Sequence, residues 1–314
     1  MKVAITGVNG YIGGVLTRHC LDQDIEVVAC SRTDPAGLVD SGSGQLTIHI
    51  TSNGIPDPHV IKGCSAIVHL AGRAHNFHAP DADLALFDWS NHQLAVKTAE
   101  CAIHAGVRRF IQVSTLSVHG NWSESPVDED SPIQATTPYA LSKRSAEVSL
   151  AGLCHAAGME LCIVRPPLVY GPACPGNFVR LVRLIQSGLP LPLRSVDARR
   201  SFIHVQNLVD FLRHSLDQPQ LTDQSTFVIG DGSDWLMPEL VRSVARELDT
   251  PARLVPFPLS IVRLGGCLLG RSREIDSITR SLLVNWSRAR NESHWTPVID
   301  PVQAFRQTMT YFRK

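Results

Sequence analysis

The sequence predicts an α/β fold built on a doubly wound parallel sheet. Two observations predict it. Short apolar, β-branched runs alternate with helical stretches over the first half of the chain. The first of those runs also passes directly into a turn with glycines at positions 7, 10 and 13, and then into a helix. The length agrees, because 314 residues make one large domain or two unequal ones and bury a substantial core without staples.

Taken in order, Val3–Thr6, Ile25–Cys30, Leu46–Ile50, Ala66–Leu70, Phe110–Ser114 and Leu161–Val164 read as strands. Tyr11–Leu21, Asp83–Ala105 and Tyr139–Ala157 read as helices between them. Right-handed crossovers then make the strands parallel and put helices on both faces. The pattern changes after Arg165, where prolines and glycines crowd between Pro166 and Pro192. Shorter elements follow: a strand at Phe202–Val205, a helix at Gln206–Leu216, a strand at Thr226–Ile229 and a helix at Pro238–Leu248. Helical pieces are expected at Leu259–Leu269, Ile275–Leu283 and Pro301–Tyr311. The division expected is a sheet domain over 1–165 and a smaller mixed subdomain over 166–314, with the chain free to cross back to the sheet.

Lys+Arg and Asp+Glu are both 29, so the formal net charge is zero. That argues against nucleic-acid binding through a broad basic face. The eight cysteines form no CxxC pair and several sit in apolar runs, which suits buried free thiols and a reducing cytoplasm. No secretory signal opens the chain, and the run Leu259–Leu269 is interrupted by Arg263 and too short to span a bilayer. No membrane partner is expected. His69, His75 and His78 cluster after the fourth strand without a completing ligand set, so no metal is expected either.

Strand, glycine turn and helix in that order suit a dinucleotide. The glycines permit a tight turn and close backbone approach, and the helix N-terminus offers free N–H groups to a diphosphate. An acidic residue ending the second strand would bind the ribose hydroxyls of NAD. Ser31 and Arg32 stand there, and an arginine suits the 2′-phosphate of NADP. NADP(H) is therefore favoured over NAD.

Tyr139 and Lys143 lie four apart on a helix that Pro138 opens, hence on one face. A free phenol has a pKa of about 10, and a nearby ammonium favours the phenolate. Such a pair moves a proton to or from a substrate hydroxyl. The strand ending at Ser114 and Thr115 adds hydroxyls at a parallel sheet's C-terminal edge, where ligands bind.

With these motifs in this order, the chain resembles the extended short-chain dehydrogenase/reductase family over nearly its whole length. The resemblance rests on Thr6-Gly7-x-x-Gly10-x-x-Gly13, His69-Leu70-Ala71-Gly72, Asn91, Ser114-Thr115 and Tyr139 with Lys143. It continues through Arg165–Pro172, Arg200–Val205 and Trp295-Thr296-Pro297. It implies a Rossmann domain over 1–165 that binds NAD(P), and a nucleotide-sugar-binding subdomain over 166–314. It also implies catalysis by Thr115, Tyr139 and Lys143. The implied cofactor contacts are Gly7, Asn9, Gly10, Tyr11, Ile12, Gly13, Ser31, Arg32, Leu70, Ala71, Gly72, Ser114, Tyr139, Lys143 and Pro166. The implied substrate contacts are Thr115, Asn177 and Arg200, with Arg199 sharing the last role. His49 departs from the family, which often places an aspartate there against the adenine. The two long helices Asp83–Ala105 and Tyr139–Ala157 pair between subunits in the family, which implies a homodimer.

The family's 4,6-dehydratases carry an Asp-Glu pair after the threonine, and this chain has Leu116-Ser117. Dehydration is therefore disfavoured. A UDP-4-keto-6-deoxy-N-acetylhexosamine 4-reductase of surface-polysaccharide synthesis is the first expectation, on the Ser31-Arg32 strand end and on Arg165–Pro172 with Gly176-Asn177-Phe178 and Gly188–Leu193. A UDP-hexose 4-epimerase is the alternative, and a non-catalytic NAD(P) sensor is a further one. The acidic run Asp128–Asp130 is read as a solvated loop.

Overall fold

The computed structural model describes residues 1–35, 37–38, 44–74, 83–218, 224–268, 270 and 272–313, with the side chains of 83, 262–265 and 272–274 set aside. His75 and His78 lie outside the described residues. Strands β1 (Lys2–Thr6), β2 (Glu26–Ser31), β3 (Leu46–Ile50), β4 (Ala66–His69), β5 (Arg109–Val113) and β6 (Glu160–Arg165) join a later strand, β9 (Gln224–Val228), in one sheet. The order is β3-β2-β1-β4-β5-β6-β9, and every pair is parallel. The order reverses between β1 and β4, so a crevice opens where both strand ends point the same way.

Helix α1 (Tyr11–Leu21) follows β1, and a single turn α2 (Pro58–Ile61) precedes β4. The long helix expected over 83–105 is made of three pieces. These are α3 (Asp83–Phe87), a π-helical turn at Asp88–Gln93, and α4 (Leu94–His104). Helix α5 (Pro138–Ala157) starts where Thr137 accepts from the Ala140 N–H and Pro138 opens the first turn, and it ends on Gly158 in the left-handed region. The core between α1, the sheet and α7 (Val205–His214) centres on Val3, Ile5, Leu16, Val27, Phe211 and Phe227. On the other face α4 and α5 bury Ala95, Ala99, Ala146 and Leu150 against Phe110 and Ile163. Small residues on both helices let them lie close to the sheet.

A second, three-stranded sheet has the order β10-β8-β7, from β7 (Leu168–Tyr170), β8 (Arg199–His204) and β10 (Asp234–Leu236). It packs with α6 (Asn177–Gln186), α8 (Met237–Glu247) and α12 (Pro301–Phe312) around Phe178, Phe202, Val241 and Phe305. Helices α9 (Leu259–Leu268), α10 (Ser272–Thr279) and α11 (Ser287–Glu292) complete the chain. The helix expected at Ile275–Leu283 stops at Thr279. Residues 281–285 instead run extended beside Val127 and Arg200, with Val127 N–H on the Leu283 carbonyl at 2.8 Å and Asn285 N–H on the Val127 carbonyl at 2.8 Å. No helix among the described residues is long and apolar enough to cross a membrane.

Candidate active site

The glycine turn is closed by packing as much as by conformation. Gly7 has φ +72°, and a Cβ there would sit 2.6 Å from the Ala71 nitrogen. A Cβ on Gly13 would overlap the Gly7 carbonyl. The glycines let β1, the β4 end and the first turn of α1 converge without side chains between them. Gly10 caps α1 with no side-chain acceptor, so the helix's first N–H groups remain open to a ligand. A cleft of about 590 Å³ lies beside the turn, lined by Val8, Asn9, Gly10, Arg18, Asp34 and Leu38 among others.

Not every residue of that turn faces the cleft with its side chain. Asn9 spends its amide on the β2 end, donating to Ser31 Oγ at 2.9 Å and Thr33 Oγ1 at 2.8 Å. Tyr11 leaves only its backbone, since its hydroxyl is buried against Gly171. Ile12 is partly buried and packs on the core. Arg32 is exposed, and its stem lies 3.2 Å from where a Gly54 Cβ would be. His49 accepts from the Asp57 N–H at 3.1 Å, a structural contact.

At the β4 end, Leu70 and Ala71 donate their N–H groups to Thr6 Oγ1, each at 3.2 Å. Thr6 Oγ1 also meets His69 Nδ1 at 3.0 Å. The second ring nitrogen of His69 is buried without a partner among the described residues, and burial beside the Lys143 ammonium pushes its pKa down to about 3. His69 is thus neutral at physiological pH. Gly72 is pinned by Asn91, whose amide bridges the Arg73 backbone at 2.7 and 3.1 Å and Ser142 Oγ at 3.0 Å. Asn91 lies within the π-helical turn, which aims its side chain at the β4 loop.

Thr115 follows β5, and its hydroxyl accepts from the Ser117 N–H at 3.2 Å. Tyr139 hydrogen-bonds to Thr115. The Tyr139 ring is partly exposed while its hydroxyl is enclosed, and burial raises the phenol above its ordinary 10, an effect the Thr115 bond partly opposes. Lys143 is buried, donates to the Val113 carbonyl at 2.9 Å, and is pushed down to about 8 by that burial. The sequence reading gave the lysine the task of lowering the tyrosine. In the folded protein burial is the largest influence on the phenol, and the Thr115 bond opposes it.

Ser114 is tied into the fold by both of its donors. Its hydroxyl donates to Glu147 at 2.6 Å and its N–H to the Val164 carbonyl at 2.8 Å, so neither donor is free for a cofactor. Pro166 likewise gives its carbonyl to the Leu116 N–H at 2.9 Å. Glu147 in turn takes Arg165 bidentately, at 2.9 and 2.8 Å. Burial alone would raise this carboxyl. The Arg165 bonds and charge, with Ser114, hold it below its ordinary range. Arg165 NH1 also donates to His119 Nε2 at 3.0 Å. Sequence reasoning missed this network, although Glu147 stands one turn beyond Lys143 on the same helix.

The acidic run corrects a second reading. Asp130 is exposed, but Glu129 is buried, accepts from the Val228 N–H at 2.7 Å and faces Arg288 at 3.7 Å. The loop between Thr115 and Tyr139 is therefore tied to β9 and α11. On the substrate side, Asn177 is exposed at the first turn of α6 and Arg199 is exposed on β8. Arg200 is largely buried and donates to the carbonyls of Arg280 at 3.1 Å and Asn121 at 3.2 Å. Burial pushes its pKa down to about 10.

The family model described as the NAD dependent epimerase/dehydratase family matches residues 3–230. The chain belongs to that family. It is accordingly an NAD-dependent enzyme of the extended short-chain dehydrogenase/reductase type. It is 33% identical over 317 residues to a UDP-glucose 4-epimerase of Vibrio cholerae, covering 99% of this chain and 95% of the relative. It is 27% identical over 311 residues to a ceramide reductase of Caulobacter vibrioides, covering 96% and 87%. The fold is that of UDP-glucuronic acid 4-epimerase from Bacillus cereus, solved with UDP-glucuronic acid and NAD. The TM-score is 0.81 with 18% identity, over 100% of this chain and 99% of that one.

Proposed function

We propose that this enzyme acts at C4 of a UDP-hexose as a 4-epimerase. The observation that carries the choice is the 33% identity to a UDP-glucose 4-epimerase across 99% of the chain. The site supports it. Thr115 and Tyr139 present paired hydroxyls beside Lys143 at the sheet's C-terminal edge. Leu116 and Ser117 supply no carboxylate for eliminating water.

The glycine cradle, the open N-terminus of α1 and the unpaired nitrogen of His69 fit a dinucleotide laid across the β1–β4 crevice. Gly7, Gly10 and Gly13 admit its diphosphate, with Tyr11 and Ile12 contributing backbone only. Lys143 and Gly72 flank its ribose end. A nicotinamide held there would supply the acceptor for the C4 hydride and its donor once the 4-ketone has turned over. Tyr139, as the phenolate, takes the C4 hydroxyl proton as the alcohol is oxidised and gives it back on reduction, while Thr115 orients that oxygen. Lys143 adds positive charge that favours the phenolate during transfer. Arg200, whose partners among the described residues are carbonyls, gains an anionic partner in the substrate diphosphate, and Asn177 borders the same ligand.

A second reading, the 4-reductase using NADPH, is favoured by one observation. Arg32 is exposed at the β2 end, where a 2′-phosphate would lie. One experiment separates the two. The nucleotide released from purified protein is identified, and the protein is given UDP-glucose alone. Tightly held NAD with formation of UDP-galactose and no added cofactor supports the epimerase. Consumption of NADPH with a UDP-4-keto-6-deoxy-N-acetylhexosamine, and no interconversion of UDP-sugars, overturns it. We further propose a homodimer through α4 and α5.

A further inference from the structure

The stretch Pro251–Arg273 stands apart in a chain whose charges balance. It contains Arg253, Arg263, Arg271 and Arg273 and no aspartate or glutamate. Its described part turns apolar side chains to water. Val255 and Phe257 are exposed, and Ile261 and Leu268 on α9 are 52% and 80% exposed. Helix α9 is oriented so that this is unavoidable. Gly266 is buried against α10, where a Cβ would come within 2.5 Å of the Ile275 side chain. Ile261 and Leu268 are two turns apart on one face, roughly 140° around the helix from Gly266 at about 100° per residue. The face with Leu259 and Gly266 points inward and the face with Ile261 and Leu268 outward, so the helix carries apolar side chains on both. Leu254 and Leu259 fasten the segment to the second core, and the Arg194 N–H on the Val255 carbonyl at 3.3 Å brings exposed Arg194 beside it.

We propose that this face docks peripherally on an anionic membrane surface. Phe257, Ile261 and Leu268 enter the headgroup–acyl boundary, and Arg194 and Arg253 meet lipid phosphates. Several large apolar side chains exposed on one segment call for an occupant, and the charges choose it. A second copy packed two-fold on this face would set arginines against arginines. An anionic lipid surface complements both the cations and the apolar face. The ten-residue helix is too short to span a bilayer, and surface docking does not ask it to.

The test is co-sedimentation of the full-length protein with vesicles. One set is phosphatidylcholine alone, the other equal parts phosphatidylcholine and phosphatidylglycerol. The protein is expected to pellet with the anionic vesicles, to be released by high salt, and to stay in solution with the neutral ones. The Phe257→Asp, Ile261→Asp, Leu268→Asp triple variant is expected to bind at least about tenfold more weakly with an unchanged melting temperature. Arg194→Glu with Arg253→Glu is expected to weaken binding as well. Failure of the native protein to bind anionic vesicles overturns the proposal, as does equal binding by the triple variant. Pelleting without vesicles that the triple variant abolishes assigns the face to a second copy instead, and overturns it too.

Discussion

Tyr139 and Gly13 show two ways in which a single residue decides this site. The Tyr139 hydroxyl is enclosed and hydrogen-bonded to Thr115, and burial raises its pKa. The phenylalanine variant keeps the ring and loses the proton carrier. Turnover of a UDP-sugar should fall by about 10²–10⁴-fold, the range for one general acid–base group. The melting temperature should change little, and a Tyr139→Phe enzyme with full turnover would remove the tyrosine from the mechanism. Gly13 acts through space it leaves empty. Its missing Cβ is where the Gly7 carbonyl lies. Gly13→Ala must push the turn off α1, at about 1–3 kcal/mol of overpacking. Cofactor affinity should drop together with stability, measured by nucleotide titration and chemical denaturation.

At the scale of elements, β5, α5 and β6 are joined behind the reacting groups by Ser114, Glu147 and Arg165. Glu147→Gln leaves a buried guanidinium without its counter-charge, which typically costs about 3–5 kcal/mol. The sign with pH follows from the lowered carboxyl. Its stabilisation is full above the unfolded value of 4.5 and is lost as pH falls through the lower folded value. The native protein should lose stability steeply below pH 4.5, and the glutamine variant should show a shallower slope there by urea titration. The elements themselves were unequally legible in the sequence. β1, the glycine turn and α1 are local, because apolar run, glycine spacing and helix signal adjoin each other. So is the Tyr139–Lys143 face of α5. β7 has three residues and gains its meaning only from pairing with β8, more than thirty residues on. The π-helical turn keeps ordinary helical periodicity, so nothing in the apolar pattern marks it. Glu129 reads as one more charge in an acidic loop, and it is buried because β9 and Arg288 arrive from far along the chain. Residues 281–285 are extended for the same reason, since their partner strand is a loop around Val127.

At the scale of the molecule, the zero net charge conceals strongly local arrangements, and apolar surface is distributed the same way. Helix α5 covers the sheet with Ala146, Leu150 and Cys154 and turns Leu141 and Val148 outward, 46% and 56% exposed. These two are seven residues apart and share a face. Leu84, Leu86 and Trp89, leading into α4, are exposed as well. Five large apolar side chains on adjoining helices exceed the scattered exposure that any monomer shows. Unlike the segment around α9, this face carries no excess of one charge to repel a two-fold copy. Pairing α4 and α5 with their equivalents would bury the stripe on both subunits at once. A stable pair needs roughly 800 Å² from each partner, and two adjoining helices of eleven and twenty residues supply a face of that order. Light scattering on the native protein should therefore report twice the 34.3 kDa chain mass. Leu141→Glu with Val148→Glu should report the chain mass itself. Both positions face away from the sheet, so the folded core should survive, with far-ultraviolet circular dichroism unchanged. A native protein that runs as a monomer across the micromolar range would leave the outward face of α5 without a partner and end the dimer proposal.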